Sequence, residues 1–189
     1  MTSQPVIVDV FVSVDGWAGS DNLPGYFGYH GPELEQWINA ELALPQVYLV
    51  GRRTYEMLSS LPAEGLDDSS NQMFAADKVV FSRTLETVDW PNSRVCRDDV
   101  ASHVEHLKTT SDVRLRTMGS LSIARQLLNA GLVDRLRLLM FPLLAGPDGR
   151  EPFFADMACA DLELADHRVL DGRILLAEWV PTGRDIPRV

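Results

Sequence analysis

The chain has 189 residues, 46% hydrophobic and 23% charged, with a formal net charge of −10. This composition can furnish a folded core and argues against disorder, while the negative charge opposes the clustered Lys and Arg that generic nucleic-acid binding needs. Met1 to Val8 lacks a basic segment followed by an unbroken apolar run, and no apolar stretch reaches the ~18 residues of a membrane span, so no membrane partner and a cytoplasmic location are expected.

Val6, Val8, Val10, Val12 and Val14 alternate with Ile7, Asp9, Phe11 and Ser13, the period-two pattern of a strand. Asp15 to Gly31, rich in glycine and aromatics, reads as an irregular loop that can fold over a ligand. Pro32 suits the first turn of a helix carrying Leu34, Trp37, Ile38 and Leu42 on one face, and Pro45 ends that pattern. A short strand, Val47 to Val50, meets Gly51 and a helix that starts near Arg53. The acidic segment Pro62 to Ser70 reads as a surface excursion, followed by strands at Val79 to Phe81 and Arg94 to Arg97.

Asp98 and Asp99 can cap a helix whose Val100, Val104 and Leu107 share a face, and the strand Val113 to Met118 follows. Gly119 and Ser120 open a helix through Leu128 with Gly131 as its stop. Leu136, Leu138 and Met140 mark another strand before the loop Pro142 to Pro152. Finally, Leu162 to Val169 and Ile174 to Val180 flank Asp171-Gly172, a pair that tolerates the positive φ angles of a tight hairpin. The series predicts a three-layer α/β/α fold with a mostly parallel sheet and an antiparallel C-terminal hairpin. No repeat or linker marks a boundary, so residues 1–189 are read as one domain.

Three strand ends carry chemistry suited to phosphate. Gly51 would let the backbone turn, the new helix offers unpaired N–H groups, and Arg52, Arg53 and Thr54 add charge and a hydroxyl. The alternative is a turn with solvent-facing arginines. Ser82, Arg83 and Thr84 end the next strand with hydroxyls and a guanidinium suited to phosphate oxygens. Gly119 and Ser120 would allow close approach of a pyrophosphate, although Ser120 equally suits a helix cap. Such sites on successive parallel strands fall on one edge of the sheet, where doubly wound folds bind nucleotides.

Together Ser13-Val14-Asp15-Gly16, Gly51-Arg52-Arg53-Thr54-Tyr55-Glu56, Ser82-Arg83-Thr84, Gly119-Ser120 and Ala130-Gly131-Leu132-Val133-Asp134 resemble one family. It is the dihydrofolate reductase-like family that includes the reductase domain of bacterial riboflavin biosynthesis. The resemblance runs in order from about Val6 to Val180 and implies NADPH as cofactor, held by Gly51, Arg52, Arg53, Thr54, Ser82, Arg83, Gly119 and Ser120. Ser120 stands where the family has the second glycine of a pair.

Asp15 matches the family's aspartate-glycine turn beside nicotinamide and substrate. It is the candidate catalytic residue, orienting substrate or simply forming the turn with Gly16. Trp17, Tyr26, Phe27 and Tyr29 are placed to cover a planar ring or to anchor the loop. Glu33 and Glu35 sit where dihydrofolate reductases carry an acidic substrate-binding residue, and where acids also complement a helix dipole.

His103 and His106 show no cysteine or carboxylate partner of zinc type, and Cys96 and Cys159 lack metal-ligand spacing, so no metal is expected. The zinc deaminase signature is absent, which leaves a stand-alone reductase. The implied reaction is hydride transfer from NADPH to a small heterocyclic or sugar-imine substrate, such as the phosphorylated ribosylaminopyrimidine of riboflavin synthesis. Other pterin, carbonyl or imine reductases on this scaffold, or a nucleotide-binding module without catalysis, are the rivals. The family often forms homodimers, and the C-terminal hairpin offers an edge for one.

Overall fold

The valine run lies at the centre of the sheet because it can be buried on both faces. A computed structural model describes residues 3–60 and 68–186, with the side chains of 3–60 and 71–186. The first strand, β1 (Val6–Ser13), is followed by β2 (Trp17–Ser20), α1 (Pro32–Leu42), β3 (Gln46–Gly51) and α2 (Arg52–Ser59). Next come α3 (Asp68–Ala75), β4 (Asp77–Phe81), β5 (Ser93–Cys96), α4 (Val100–Thr110) and β6 (Arg114–Thr117). The chain continues through α5 (Leu121–Asn129), β7 (Arg135–Phe141), β8 (Gly149–Pro152), β9 (Leu162–Leu170) and β10 (Ile174–Pro181).

Eight strands form one sheet in the order β5-β4-β3-β6-β1-β7-β10-β9. Those from β5 to β7 pair in parallel, while β10 joins β7 antiparallel and pairs with β9. This is the predicted α/β/α arrangement with its antiparallel hairpin. Asp171 and Gly172 take φ of +51° and +66°, as the hairpin turn requires. On one face Val8, Val10 and Val12 pack with Val104 and Leu107 of α4 and Ile123 and Leu127 of α5. On the other, Leu139, Phe141 and Leu176 meet Leu34 and Trp37 of α1. Farther along, Tyr48, Val50 and Val80 meet Tyr55 of α2 and Trp90.

Several expectations need correction. Val14 lies beyond the end of β1 and is 63% exposed. The predicted loop Asp15 to Gly31 contains β2, and the loop Pro142 to Pro152 contains β8; the two pair antiparallel as a separate ribbon. Neither segment shows strand periodicity, and each is a strand because the other completes its hydrogen-bond ladder. Gly149 permits the pairing, since a Cβ there would overlap the Trp17 indole. Of the predicted excursion Pro62 to Ser70, residues 62–67 lie outside the described residues, and 68–70 open α3.

The sheet is open at one place. β1 pairs with β7 from Ile7–Arg135 through Ser13–Phe141, yet with β6 only at Val6–Leu115 and Ile7–Arg116. Towards its C-terminal end β1 therefore parts from β6, at the edge where parallel α/β sheets bind ligands.

Candidate functional site

Because β4, β3 and β6 are neighbours, the turns that leave their C-terminal ends stand side by side. Between them runs a cleft of about 1000 Å³. It is lined by Gly51, Arg52, Arg53 and Thr54 after β3, Ser82 and Arg83 after β4, and Gly119 and Ser120 after β6. The structure thus brings together every residue predicted to hold the cofactor. The cleft reaches the gap beside β1, where Asp9, Val10 and Phe11 line it together with Ala18.

The local reasons differ in part from those read in the sequence. Gly51 has φ −86°, which any residue adopts, so no sharp turn demands glycine here. What demands it is close approach: a Cβ would stand 3.3 Å from Ser120 Oγ, which accepts the Gly51 N–H at 2.6 Å. Gly119 does require its freedom, since its φ is +67° and a Cβ there would stand 3.3 Å from Thr54 Cγ2. Ser120 is buried and makes no side-chain cap for α5; its hydroxyl also lies 3.0 Å from Thr54 Oγ1.

The helices opening on the cleft offer free donors. Neither α2 nor α5 has a side-chain cap, whereas Asp99 caps α4 by accepting from the Ser102 N–H at 3.0 Å. Uncapped first turns present N–H groups and the positive end of the helix dipole to an anion. Arg52 pairs with Glu56 at 2.9 Å and Arg53 lies 3.9 Å from Glu151. Ser82 Oγ accepts from the Thr84 and Leu85 N–H groups, so it shapes its own turn. Arg83 lines the cleft with no ion-pair partner among the described residues.

The sequence reading missed several lining residues. Arg97 ends β5 as Arg83 ends β4, and the same strand-end rule would have found it; its guanidinium donates to the Leu85 carbonyl at 2.8 Å. Glu151 arrives on β8, for which no sequence signal existed. Asp9 had a signal, a single acid inside a valine run. Its carboxylate is clamped by Arg116 and Arg137 at 2.6 Å each, and Arg137 passes the contact to Glu41 of α1 at 2.8 Å. Burial alone would push the Glu41 carboxyl up, but the Arg137 hydrogen bond and the Arg137, Arg114 and Arg116 charges hold it at about 2.

Asp15 does not line the cleft. Its carboxylate accepts from Ser13 Oγ at 2.6 Å, the Ala145 N–H at 3.0 Å and the Gly146 N–H at 2.8 Å, joining the end of β1 to the loop after β7. Those donors, the Ser13 hydroxyl first, lower its pKa to about 2. It is therefore ionised near neutral pH and has no proton to give. Glu33 is tied to the hairpin: Asp171 accepts the Glu33 and Leu34 N–H groups at 2.9 and 3.1 Å, capping α1 from a distance. His103 lies 3.2 Å from Asp98, whose carboxylate also meets the Cys96 thiol at 3.8 Å, so both a cysteine and a carboxylate stand beside it, contrary to expectation.

The residues present fit a dinucleotide. The cleft sits at the upper end of small-molecule site volumes, roughly 300–1,000 Å³. It offers two uncapped helix starts, bare backbone at Gly119, arginines at the β4 and β5 ends, and an opening beside β1.

Comparison with known proteins places these features in a family. The sequence profile of the RibD C-terminal domain matches residues 4–176. A curated relative, the uncharacterized protein YyaP of Bacillus subtilis, is 25% identical over 158 residues, covering 80% of this chain and 81% of its own. Among solved structures, a putative riboflavin biosynthesis protein from Shewanella superposes with a TM-score of 0.71 at 15% identity, covering 95% of this chain and 99% of the other. A pyrimidine reductase-like protein from Corynebacterium diphtheriae gives 0.65 at 15% identity, covering 96% and 93%. RibD of Acinetobacter baumannii gives 0.70 at 15% identity over 96% of this chain, which spans 59% of that longer protein. The chain belongs to the RibD C-terminal domain family.

Proposed function

We propose that this protein is an NADPH-dependent reductase acting on a small heterocyclic or imine-bearing molecule. The observation that carries the proposal is the convergence of the β3, β4 and β6 ends on one cleft that continues into the opening beside β1. On this reading the uncapped starts of α2 and α5 hold the pyrophosphate, with Gly119 allowing its approach. Arg83, with Arg97 beside it, holds the 2′-phosphate. Asp98 and Asp99 also line that end: Asp98 meets Cys96 and His103, and Asp99 accepts from Ser102 and feels the Arg83 charge, so a phosphate there would compete with Asp99 for Arg83.

Bound in this way, NADPH supplies the hydride. The chain's own work is positional. β1 and Phe11 form one wall of the opening, the Asp9–Arg116–Arg137 cluster stiffens β1, and residues between Ala18 and Phe27 line the acceptor side. Asp15 fixes the loop after β7 against β1, so it serves the site as a positioning residue.

Fluorescence titration tests the cofactor assignment. The expected result is tighter binding of NADPH than of NADH; equal dissociation constants, or no binding of either, would overturn it.

A further inference from the structure

The cleft continues past the sheet opening into a second space. Phe11 and Ala18 line both the cleft and a smaller chamber of about 220 Å³, whose walls are Leu23, Pro24, Tyr26 and Phe27. We propose that this chamber receives a neutral, flat acceptor of one or two rings that carries no phosphate, an inference that rests on the cofactor reading above.

Charge is the first ground. The arginines that line the cleft, Arg52, Arg53, Arg83, Arg97 and Arg125, stand at the β3, β4 and β5 ends and on α5, and none of them lines the chamber. No chamber-lining side chain carries a charge near neutral pH, since burial pushes the Tyr26 phenol up. Two cations stand near it, and both are engaged: Arg150 faces Gly19 across the β2–β8 ladder and is paired with Asp21, and Arg116, whose charge reaches the Tyr26 phenol, is clamped on Asp9. A phosphate taken into this space would lose its water and meet only cations already paired with Asp9 and Asp21.

Shape is the second ground. Tyr26 and Phe27 hold φ of +55° and +52°, a left-handed conformation unfavourable for large side chains. Packing holds them there. The Tyr26 ring meets Phe11 edge-on at 5.2 Å, and Phe27 is 5.6 Å from Phe141 and nearly fully buried. The aromatic wall is thus set before a ligand arrives. A volume of about 220 Å³ exceeds the roughly 150 Å³ apolar cavity that accepts benzene, leaving room for one substituted ring or two fused ones.

Calorimetric titration of the full chain saturated with NADP+ decides the matter, with isoquinoline as the neutral probe and ribose 5-phosphate as the anionic one. The expected result is saturable binding of isoquinoline and none of ribose 5-phosphate. Leu23 is partly exposed, so Leu23→Asp should fold; it should weaken isoquinoline about tenfold or more by putting a carboxylate in the wall, and leave NADP+ binding unmoved. Binding of ribose 5-phosphate in preference, no binding of isoquinoline, or isoquinoline binding untouched by Leu23→Asp would each overturn the inference. Failure of NADP+ itself to bind would instead strike the cofactor reading, and isoquinoline titrated into the free protein and Leu23→Asp would still decide this one.

Discussion

Ser120 Oγ accepts the Gly51 N–H at 2.6 Å, so one buried hydroxyl ties the turn after β3 to the turn after β6. The family's second glycine would leave that donor without an acceptor. Ser120→Ala should therefore destabilise the protein by about 1–3 kcal/mol, the scale of a buried donor left unpaired. In a chain of this size that lowers Tm by roughly 2–4 °C for each kcal/mol. NADPH affinity should fall as well, because the two turns no longer hold a common spacing. A thermal melt with and without NADPH measures both, and an unchanged Tm would show the bond to be dispensable.

Arg83 stands at the end of β4 with its guanidinium unpaired among the described residues. If it meets the 2′-phosphate, Arg83→Ala should weaken NADPH by about 1.5–3 kcal/mol, the worth of a hydrogen bond to a charged group. That is roughly 10–150-fold in dissociation constant. NADH, which lacks the phosphate, should bind as before. Equal losses for both dinucleotides would move Arg83 from the 2′-phosphate to the pyrophosphate.

Gly119 separates backbone strain from ligand access. Its φ of +67° means that Gly119→Val would disturb folding as well as binding, with Thr54 in contact range of the new side chain. Asn tolerates the left-handed region better. Gly119→Asn should therefore keep most of the stability while its side chain obstructs the pyrophosphate, raising the NADPH dissociation constant about tenfold or more. A folded Gly119→Asn protein with wild-type affinity would place the cofactor elsewhere.

The parts of the fold that were legible in the sequence are those fixed by local pattern. Alternating valines announce β1, Asp171-Gly172 announces the hairpin, and three strand ends with Gly, Ser and Arg announce the cleft. The parts that were not legible depend on partners far away in the chain. β2 and β8 exist only as a pair, and α1 is capped by Asp171 rather than by a residue of its own. The lone acid at Asp9 hinted at a buried ion pair, but nothing local named Arg116 and Arg137 as its partners. Gly51 shows a subtler gap: the residue was singled out for turn geometry, while the structure needs it bare because Ser120 comes close.

Asp15 should reveal its clamp through acid unfolding. Its carboxyl titrates at about 2 in the folded protein against an ordinary 3.8, so the folded state favours the ionised form. The sign follows: the stabilisation is present above about pH 4 and is lost as pH falls towards 2. Asp15→Asn should be less stable than wild type near neutrality, with the two urea midpoints converging as pH drops through that window. A gap that does not change with pH would refute the clamp. Loss of about 10²-fold in kcat with an unchanged unfolding profile would instead put Asp15 at the reacting atoms.

The Asp9 cluster predicts an asymmetry between breaking an ion pair and replacing it. Asp9, Arg116 and Arg137 are all more than nine-tenths buried, and Glu41 is shared between Arg137 and Arg114. Arg116 already has one buried Nη1 with no partner among the described residues, so the cluster holds little spare compensation. Asp9→Asn preserves shape but leaves the Arg116 and Arg137 charges facing a neutral amide, and should cost about 3–5 kcal/mol. With urea m-values of roughly 1–3 kcal/mol per molar, the midpoint should fall by a molar or more. Asp9→Val combined with Arg116→Met and Arg137→Met removes the charges together and lets β1 join the apolar layer under Trp37. It should recover most of the lost stability, since buried ion pairs exchange for apolar groups at little cost. A triple variant as unstable as Asp9→Asn would mean that the cluster stabilises the fold through its hydrogen bonds to α1 rather than through balanced charge.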